Sequence, residues 1–374
     1  MNVPKLPHIL TTLLLSVVLA HAQAQNPTLT IDAGAPTAKF SATHYGLMTE
    51  EINHSYDGGL YAELIRNRAF LDDARTPVHW SVVEGTGATV RISLDKEQPL
   101  NSALTTSLRM EISAASPQAP AGVANTGYWG IPVKPSTRYT ASFYARATQD
   151  FSGPVALTIE SVDGGTVYAS ADVPRLKGDW RQYTVTLRTG RIAPTSKARF
   201  ALKVHRPGTV WLSLVSLFPP TWKNRPNGLR PDLMQMLVDL KPAFLRFPGG
   251  NYLEGNNIST RFDWKRTIGP VALRPGHPCP WGYRSTDGMG LLEFLLWCED
   301  MGAEPVLAVY AGHSLGGERI KPGPELVPYI DEALEEIEYV SGSTRTKWGA
   351  QRARDGHPAP FRLRYPVIRS NALI

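Results

Sequence analysis

The hydrophobic pattern changes its period twice along this 374-residue chain. Between residues 78 and 218, apolar and polar side chains alternate in about ten segments, separated by turns rich in Gly, Pro and Asp. Tyr139, Ala141 and Phe143 illustrate the alternation. A period of two places every second side chain on the same face of a strand. The pattern therefore predicts a β-sandwich over residues 78–218.

The segments on both sides of the sandwich alternate strands with helices. Ahead of it we predict a strand at His44–Ile52 and a helical stretch at Leu60–Asn67. After it, we predict three helices with apolar stripes at helical spacing, at Asp232–Leu240, Gly288–Met301 and Glu325–Val340. They alternate with three predicted strands, at Phe244–Pro248, Glu304–Ala311 and Phe361–Ile368. Strand–helix alternation predicts a parallel β/α layer. Because the sandwich interrupts this layer, we interpret it as an insertion with neighbouring ends.

These patterns predict a mixed fold, a partial (β/α)₈ barrel of about three to four strands that carries an inserted β-sandwich. They divide the chain into four segments. The segments are a signal peptide (1–24), an N-terminal strand at Thr28–Asp32 with the first βα unit (25–77), the sandwich (78–218) and barrel strands two to four (219–374).

The first 24 residues have the features of a secretory signal. Lys5 precedes an apolar run from Ile9 to Ala20, and Ala22 or Ala24 fits a cleavage site. The run is shorter than the roughly 20 apolar residues that span a bilayer. We therefore expect an exported protein, periplasmic or extracellular, that does not bind a membrane.

Charge and cysteine content do not indicate nucleic-acid or metal binding. The net charge is +6, but residues 345–374 alone carry seven Arg or Lys against one Asp, which we interpret as an unusual basic tail. Basic residues are not interleaved with aromatics, as nucleic-acid binding would require. A disulfide between Cys279 and Cys298 would need a loop to fold back on a helix. Without nearby His pairs, the two cysteines predict no zinc site, and no cofactor is expected.

The segment Gly312–Gly316 matches the G-x-S-x-G motif of esterases and follows an apolar strand. A serine esterase acting through Ser314 is therefore an alternative function. The motif requires a helix directly after the serine, but glycines and a proline intervene before the helix that begins near Glu325. Only His357 follows as a partner. We favour a glycine-rich loop at a strand end.

Polar and aromatic residues cluster where the predicted barrel strands end. The first strand ends in Glu50 and Glu51, and the second ends in the stretch from Arg246 to Tyr252, which includes Asn251. Active sites of barrels lie at the carboxyl ends of their strands, so these residues predict a sugar-sized pocket. The following loop carries three flat side chains that could stack on sugar rings: Trp264, Trp281 and Tyr283.

Six motifs occur in a fixed order: Tyr45–His54, Asp57–Phe70, Arg246–Asn251, Phe262–Lys265, Ile268–Pro270 and Trp281–Glu293. Together they resemble the α-L-arabinofuranosidases of glycoside hydrolase family 51. Residues 78–218, with Gly178–Trp180, are similar to the jelly-roll carbohydrate-binding module inside some members. The resemblance implies a retaining enzyme that releases terminal L-arabinofuranose from plant polysaccharides or oligosaccharides with two glutamates. It implies no metal or organic cofactor.

By this resemblance, Glu50 and Asn251 bind the arabinose hydroxyls, Arg246 lies near the nucleophile and Trp281 packs beside the sugar. In the family, the strand that begins near Phe361 runs into Gly-Asn-Glu, whose glutamate is the acid/base. Here that segment reads Pro366–Ile374. We therefore expect both catalytic carboxylates to be missing from this sequence, and the chain alone to be inactive.

The alternative from another class is a carbohydrate-binding protein without catalysis. In that case the sandwich is the functional part, and Tyr128, Trp129 and Trp180 are candidate sugar platforms or else core residues. The sequence leaves the preferred polysaccharide and the oligomeric state open.

Overall fold

A computed structural model of the chain describes residues 28–36, 38–151 and 153–369. The predicted signal peptide at 1–24 lies outside the described residues. A compact unit begins at Ala42. The described residues ahead of it contain no helix or strand. The strand expected at Thr28–Asp32 is therefore wrong, because Leu29 and Ile31, whose alternation suggested it, are exposed and give a strand no packed face.

The segment between the first strand, β1 (Leu47–Met48), and the sandwich is irregular. The helix expected at Leu60–Asn67 is wrong. Gly58, in the turn just before it, has a φ of 86°, a left-handed conformation that does not lead into a helix. Beyond the turn, the Ala62 N–H donates to the Gly228 carbonyl at 3.1 Å. Such long-range hydrogen bonds replace the local ones that a helix requires.

The alternating region forms the predicted sandwich, which confirms that part of the fold. Within the described residues its ten strands are β2 Trp80–Glu84, β3 Thr89–Asp95, β4 Ser107–Ala114, β5 Ala121–Asn125, β6 Arg138–Ala147, β7 Val155–Ser161, β8 Val167–Val173, β9 Arg181–Arg188, β10 Ala198–Val204 and β11 Gly208–Phe218. Two antiparallel five-stranded sheets, ordered β2-β5-β10-β7-β8 and β3-β4-β11-β6-β9 in this part of the chain, face each other.

The inward side chains of the two sheets make one apolar core. Along β6, Tyr139, Ala141 and Phe143 are all fully buried, as the alternation predicts. Ile65 and Phe70, which precede the predicted boundary at residue 78, are buried in the same core. The folded sandwich therefore includes residues that the periodicity alone assigns to the first βα unit.

The rest of the chain builds the barrel part. In chain order its elements are α1 Pro231–Asp239, β12 Phe244–Phe247, α2 Asn251–Glu254, β13 His277–Pro278, β14 Arg284–Ser285, α3 Leu291–Met301, β15 Glu304–Tyr310, α4 Val327–Ser341, α5 Lys347–Arg354 and β16 Tyr365–Arg369. Among the described residues, four strands pair in parallel in the order β1-β12-β15-β16. This is the expected partial (β/α)₈ layer. No helix in the described ranges has both the length and the apolar character needed to cross a bilayer.

Two expectations about the helices differ from the structure. The apolar stripe predicted for the helix at Glu325–Val340 includes Ile330 and Leu334, but both are exposed in α4, because Tyr339 and Val340 form the packed face instead. The described part of the basic segment, residues 345–369, is folded and is not a tail. It contains α5, where the buried Arg352 guanidinium donates to several backbone carbonyls, including that of Gly342 at 2.7 Å.

Candidate active site at the carboxyl ends of the first two barrel strands

The first two barrel strands deliver their carboxyl ends to one edge of the sheet. Met48 pairs with Arg246, and the Thr49 N–H donates to the Arg246 carbonyl at 2.9 Å. Glu50 and Glu51 therefore leave the sheet beside the segment that follows β12. Parallel pairing alone brings these two stretches together, although Glu51 and Arg246 are 195 positions apart in the sequence.

Glu50 is half-buried and packs directly on the loop after β12. Its Oε1 accepts a hydrogen bond from the Tyr252 N–H at 2.7 Å. Gly249 has a φ of 119°, and a Cβ there would approach the Glu50 side chain to 2.7 Å. The glycine is needed both for its backbone conformation and for this close approach. The loop sequence Pro248–Gly250 thus sets the position of the Glu50 carboxylate.

Arg246 and Asn251 lie on either side of that loop. Arg246 is half-buried and projects from β12 on the face opposite the buried Leu245 and Phe247. Asn251 is half-buried and begins α2. The structure therefore brings Glu50, Arg246 and Asn251 to the same edge.

Glu51 has different partners from its neighbour Glu50. It is fully buried, and it accepts hydrogen bonds from the Tyr56 N–H at 2.6 Å and the Tyr283 hydroxyl at 2.8 Å. Burial, and then the charge of Asp57, raise the pKa of Glu51 to about 8. Its side chain thus joins the end of β1 to the loop that carries Tyr283, as a structural residue.

Trp281 lies in the turn between β13 and β14. The Cys279 N–H donates to the Tyr283 carbonyl at 2.8 Å and closes this turn. The Tyr283 ring stacks on His54 with centroids 4.0 Å apart, and its hydroxyl accepts the His54 N–H at 2.8 Å. Trp281 itself is 37% exposed. The turn that presents Trp281 is therefore fixed against the residues that follow β1.

The sandwich also reaches this region. Trp129 is 68% exposed, and its Nε1 donates to the Gly58 carbonyl at 2.9 Å. Its ring lies 5.9 Å from His54, edge to face, and the half-buried Tyr128 ring lies 5.4 Å from His54. Sequence periodicity did not indicate this contact, because it depends on how the inserted domain docks.

Two family models match separate parts of the chain. Residues 236–373 match the "Alpha-L-arabinofuranosidase 1 domain", and residues 62–209 match a "Carbohydrate binding domain". An arabinose-bound family 51 α-L-arabinofuranosidase of solved structure superposes with a TM-score of 0.83 at 38% identity, covering 89% of this chain and 54% of that one. The chain is a homologue of the family 51 α-L-arabinofuranosidases.

Related sequences come from fungi and plants. A "Probable alpha-L-arabinofuranosidase A" of Aspergillus terreus is 40% identical over 328 residues, which is 85% of this chain and 51% of the relative. "Alpha-L-arabinofuranosidase 1" of Arabidopsis thaliana is 35% identical over 356 residues, covering 91% of this chain and 51% of the relative. This family 51 homologue therefore spans about half the length of the curated relatives it matches.

Two residues singled out in the sequence of this family 51 homologue are buried away from any sugar-binding face. Trp264 is 1% exposed and packs edge to face against Trp348. The prediction that it could stack on a sugar ring is therefore wrong. Ser314 is also buried, and its hydroxyl accepts the Glu318 N–H at 3.2 Å. The His357 ring stacks on Phe361, and its nitrogens bond to Ala359 and Glu299, so it is not the partner of Ser314. The esterase alternative is therefore wrong.

Cys279 and Cys298 are free and buried. Burial raises the pKa of the Cys279 thiol to about 12, so it is not a reactive thiolate at neutral pH. Within the described ranges, no cluster of three or more His, Cys, Asp or Glu side chains could hold a metal ion.

Sequence reasoning missed two residues that position the site. The Tyr252 N–H binds Glu50, and the Ser55 hydroxyl donates to the Glu50 carbonyl at 2.6 Å. The glycines before Tyr252 were a usable signal, since they indicate a tight approach of backbone to a side chain. Nothing in the local sequence indicates the role of Ser55.

Proposed function

We propose that the strand-end site binds the terminal α-L-arabinofuranose of a plant polysaccharide or oligosaccharide, as part of a retaining α-L-arabinofuranosidase. The observation that carries this proposal is the fixed Glu50 carboxylate beside Arg246 and Asn251. A carboxylate offers about four acceptor positions, and the single Tyr252 N–H uses only one of them. The remaining positions suit sugar hydroxyls.

The neighbouring residues have complementary roles in this proposal. The amide of Asn251 offers both donors and an acceptor to the arabinose. The guanidinium of Arg246 adds hydrogen-bond donors and a positive charge at the same edge. Trp281 supplies an exposed flat face beside the sugar. No metal or organic cofactor is part of this arrangement.

Hydrolysis needs more than these residues supply. A retaining glycosidase uses two carboxyl groups about 5–5.5 Å apart, one as acid/base and one as nucleophile. Among the described residues at the strand ends, Glu50 and Glu51 are not such a pair, because Glu51 is buried and bound to Tyr56 and Tyr283. We therefore assign Glu50 to sugar binding, and we expect a polypeptide of these 374 residues to bind arabinofuranosides without hydrolysing them.

The second candidate is a carbohydrate-binding role of the sandwich without catalysis. The match of residues 62–209 to a carbohydrate binding domain favours it. In either case, we propose that the protein is exported. The mass of the secreted protein tests the export, since cleavage after Ala22 or Ala24 gives two distinct values.

The test of the strand-end site is calorimetric titration with methyl α-L-arabinofuranoside. Glu50→Gln keeps the shape and removes the charge, and hydrogen bonds to charged groups contribute about 1.5–3 kcal/mol. We expect affinity to fall about tenfold or more. Glu111→Gln, an exposed substitution on the sandwich, is the control and should leave affinity unchanged.

Unchanged affinity in Glu50→Gln, with circular dichroism showing a folded protein, would contradict the proposed role of Glu50. The same samples should give no turnover of an aryl α-L-arabinofuranoside above background. Turnover that survives Glu50→Gln and co-purifies with the chain would contradict the assignment of the carboxylates.

A further inference from the structure

The indole of Trp129 is both exposed and fixed in place. It leaves the sandwich in the loop between β5 and β6, and 68% of its surface is exposed. The hydrogen bond from its Nε1 to the Gly58 carbonyl, at 2.9 Å, holds the ring against the turn that follows β1. Large exposed aromatic side chains that are already ordered bind ligands with a small loss of conformational entropy.

A row of aromatic rings connects Trp129 with the strand-end site. Trp129 lies edge to face against His54, and His54 stacks on Tyr283. The Tyr283 hydroxyl donates to Glu51, the residue after Glu50. The contacts of Trp129 with His54 and of His54 with Tyr283 therefore link Trp129 to the turn that carries Trp281.

Trp129 also lines a cavity of about 370 Å³ at the junction of the sandwich and the barrel part. This volume is within the range of about 300–1,000 Å³ that is usual for ligand pockets. The half-buried Tyr128 shares the lining with Trp129, whereas Tyr139, which also lines the cavity, is fully buried. Polar groups are contributed by Lys134 and by the amino-terminal end of α1.

The chemistry of this cavity fits a sugar ring. The Arg230 guanidinium is already paired with the Asp232 carboxylate at 2.6 Å, so its charge is compensated. Aromatic faces with a few polar groups at the edge suit the apolar face and the hydroxyl rim of a sugar ring. Among the described residues Lys134 forms no ion pair, so its exposed ammonium group offers hydrogen-bond donors to sugar hydroxyls at the rim of the cavity.

We propose that Trp129 and the junction cavity form a second saccharide-binding position. It holds a further furanose or pyranose residue of the polysaccharide whose terminal arabinofuranose occupies the strand-end site. This inference rests on the proposed function, since it extends that site along the chain of the substrate. The sandwich thereby contributes directly to substrate recognition through its junction with the barrel part.

The test compares a short and a long ligand on the whole chain by calorimetry. The short ligand is methyl α-L-arabinofuranoside. The long ligands are an α-1,5-linked arabinotetraose and an arabinose-substituted xylotetraose, which distinguish a furanose from a pyranose at the second position. We expect at least one long ligand to bind about tenfold more tightly than the short one.

Trp129→Ala should remove this gain and leave the affinity for the short ligand unchanged. Trp129→Phe retains an aromatic face without the hydrogen bond to Gly58, and it should keep most of the gain. Trp281→Ala, at the strand-end site, should instead weaken both ligands. In the wild type, the long ligand should shift the tryptophan fluorescence, and most of that shift should be lost in Trp129→Phe.

Failure of the two proposals can be told apart. If the wild type does not bind the short ligand, the proposed function is refuted. If it binds the short ligand but neither long ligand binds more tightly, the second position is refuted. The second position is also refuted if Trp129→Ala keeps the gain, or if it weakens short and long ligands equally.

Discussion

The sandwich and the barrel part differ in how completely they bury the apolar faces of their sheets and helices. In the sandwich, two antiparallel sheets bury one face each against the other, and every second side chain along β6 is buried. In the barrel part, the described parallel sheet has β1 and β16 as edge strands, and helix α4 exposes Ile330 and Leu334. Parallel sheets depend on helices and neighbouring strands for burial, whereas a sandwich closes on itself.

The contrast also explains where the chemistry lies. The edge of the parallel sheet gathers Glu50, Arg246 and Asn251, because strands that run in the same direction end at the same edge. In the antiparallel sheets, the carboxyl ends of neighbouring strands lie at opposite ends of the sheet, so they do not bring polar side chains together at one place. The barrel part thus supplies the candidate sugar-binding edge, and the sandwich supplies the exposed Trp129.

The largest effect concerns the independence of the sandwich. We expect residues 62–218 to fold alone with a cooperative thermal transition, because their core is complete without the barrel part. Residues 78–218 lack the buried Ile65 and Phe70, and loss of one such side chain costs about 2–5 kcal/mol. Calorimetry of both segments measures the difference. Equal stability of the two segments would contradict the contribution of Ile65 and Phe70. A molten longer segment would contradict the claim that the sandwich core is complete without the barrel part.

A smaller effect should appear in the barrel part as a function of pH. The pKa of Glu51 is raised from 4.5 to about 8, so the folded state favours the uncharged carboxyl. Its stabilisation is complete below pH 4.5 and is lost as the pH rises through about 8, at no more than about 1.4 kcal/mol per pH unit.

Denaturation at several pH values measures this loss. Glu51→Gln should reduce it, and other buried carboxyl groups, such as Asp72 with a pKa raised by burial to about 6, should account for the remainder. Glu111→Gln on the sandwich is the matched control, because that carboxylate is exposed and paired with Arg109. If Glu51→Gln leaves the pH dependence intact, another group carries it. A change of the same size in Glu111→Gln would show that the effect is not specific to the barrel part.

The smallest effect concerns exposed apolar side chains. Leu334→Gln on α4 should change the free energy of unfolding by less than about 0.5 kcal/mol, as surface substitutions generally do. It should nevertheless reduce self-association measured by light scattering, because it removes part of an exposed apolar stripe. Val82→Gln, an exposed position of the sandwich, is the control. Equal reductions in scattering would remove the distinction between the two regions.

The two regions also differ in how far their sequence predicts them. The period-two alternation predicted the sandwich because each of its strands has one buried face. The barrel strands were found from apolar runs, but the helix expected at Leu60–Asn67 and the core face of α4 were not correct. Both errors arise where long-range contacts, such as that of Ala62 with Gly228, override local pattern.

In the site, the resemblance selected Glu50, Arg246 and Asn251, and the structure brings all three to one edge. The aromatic residues were harder to assign, because Trp264 and Trp281 are alike in the sequence and differ only in burial. The position of Trp129 depends on how the sandwich docks, which no local pattern encodes.

The central claim is that arabinofuranosides bind at the strand ends of the barrel part. Hydrogen–deuterium exchange of the whole chain, with and without methyl α-L-arabinofuranoside, tests it most directly. The account predicts slower exchange at residues 249–254 and 279–286, with unchanged exchange along strands β2 to β11. Slower exchange confined to the sandwich strands would contradict it and favour a binding protein that acts through the sandwich alone.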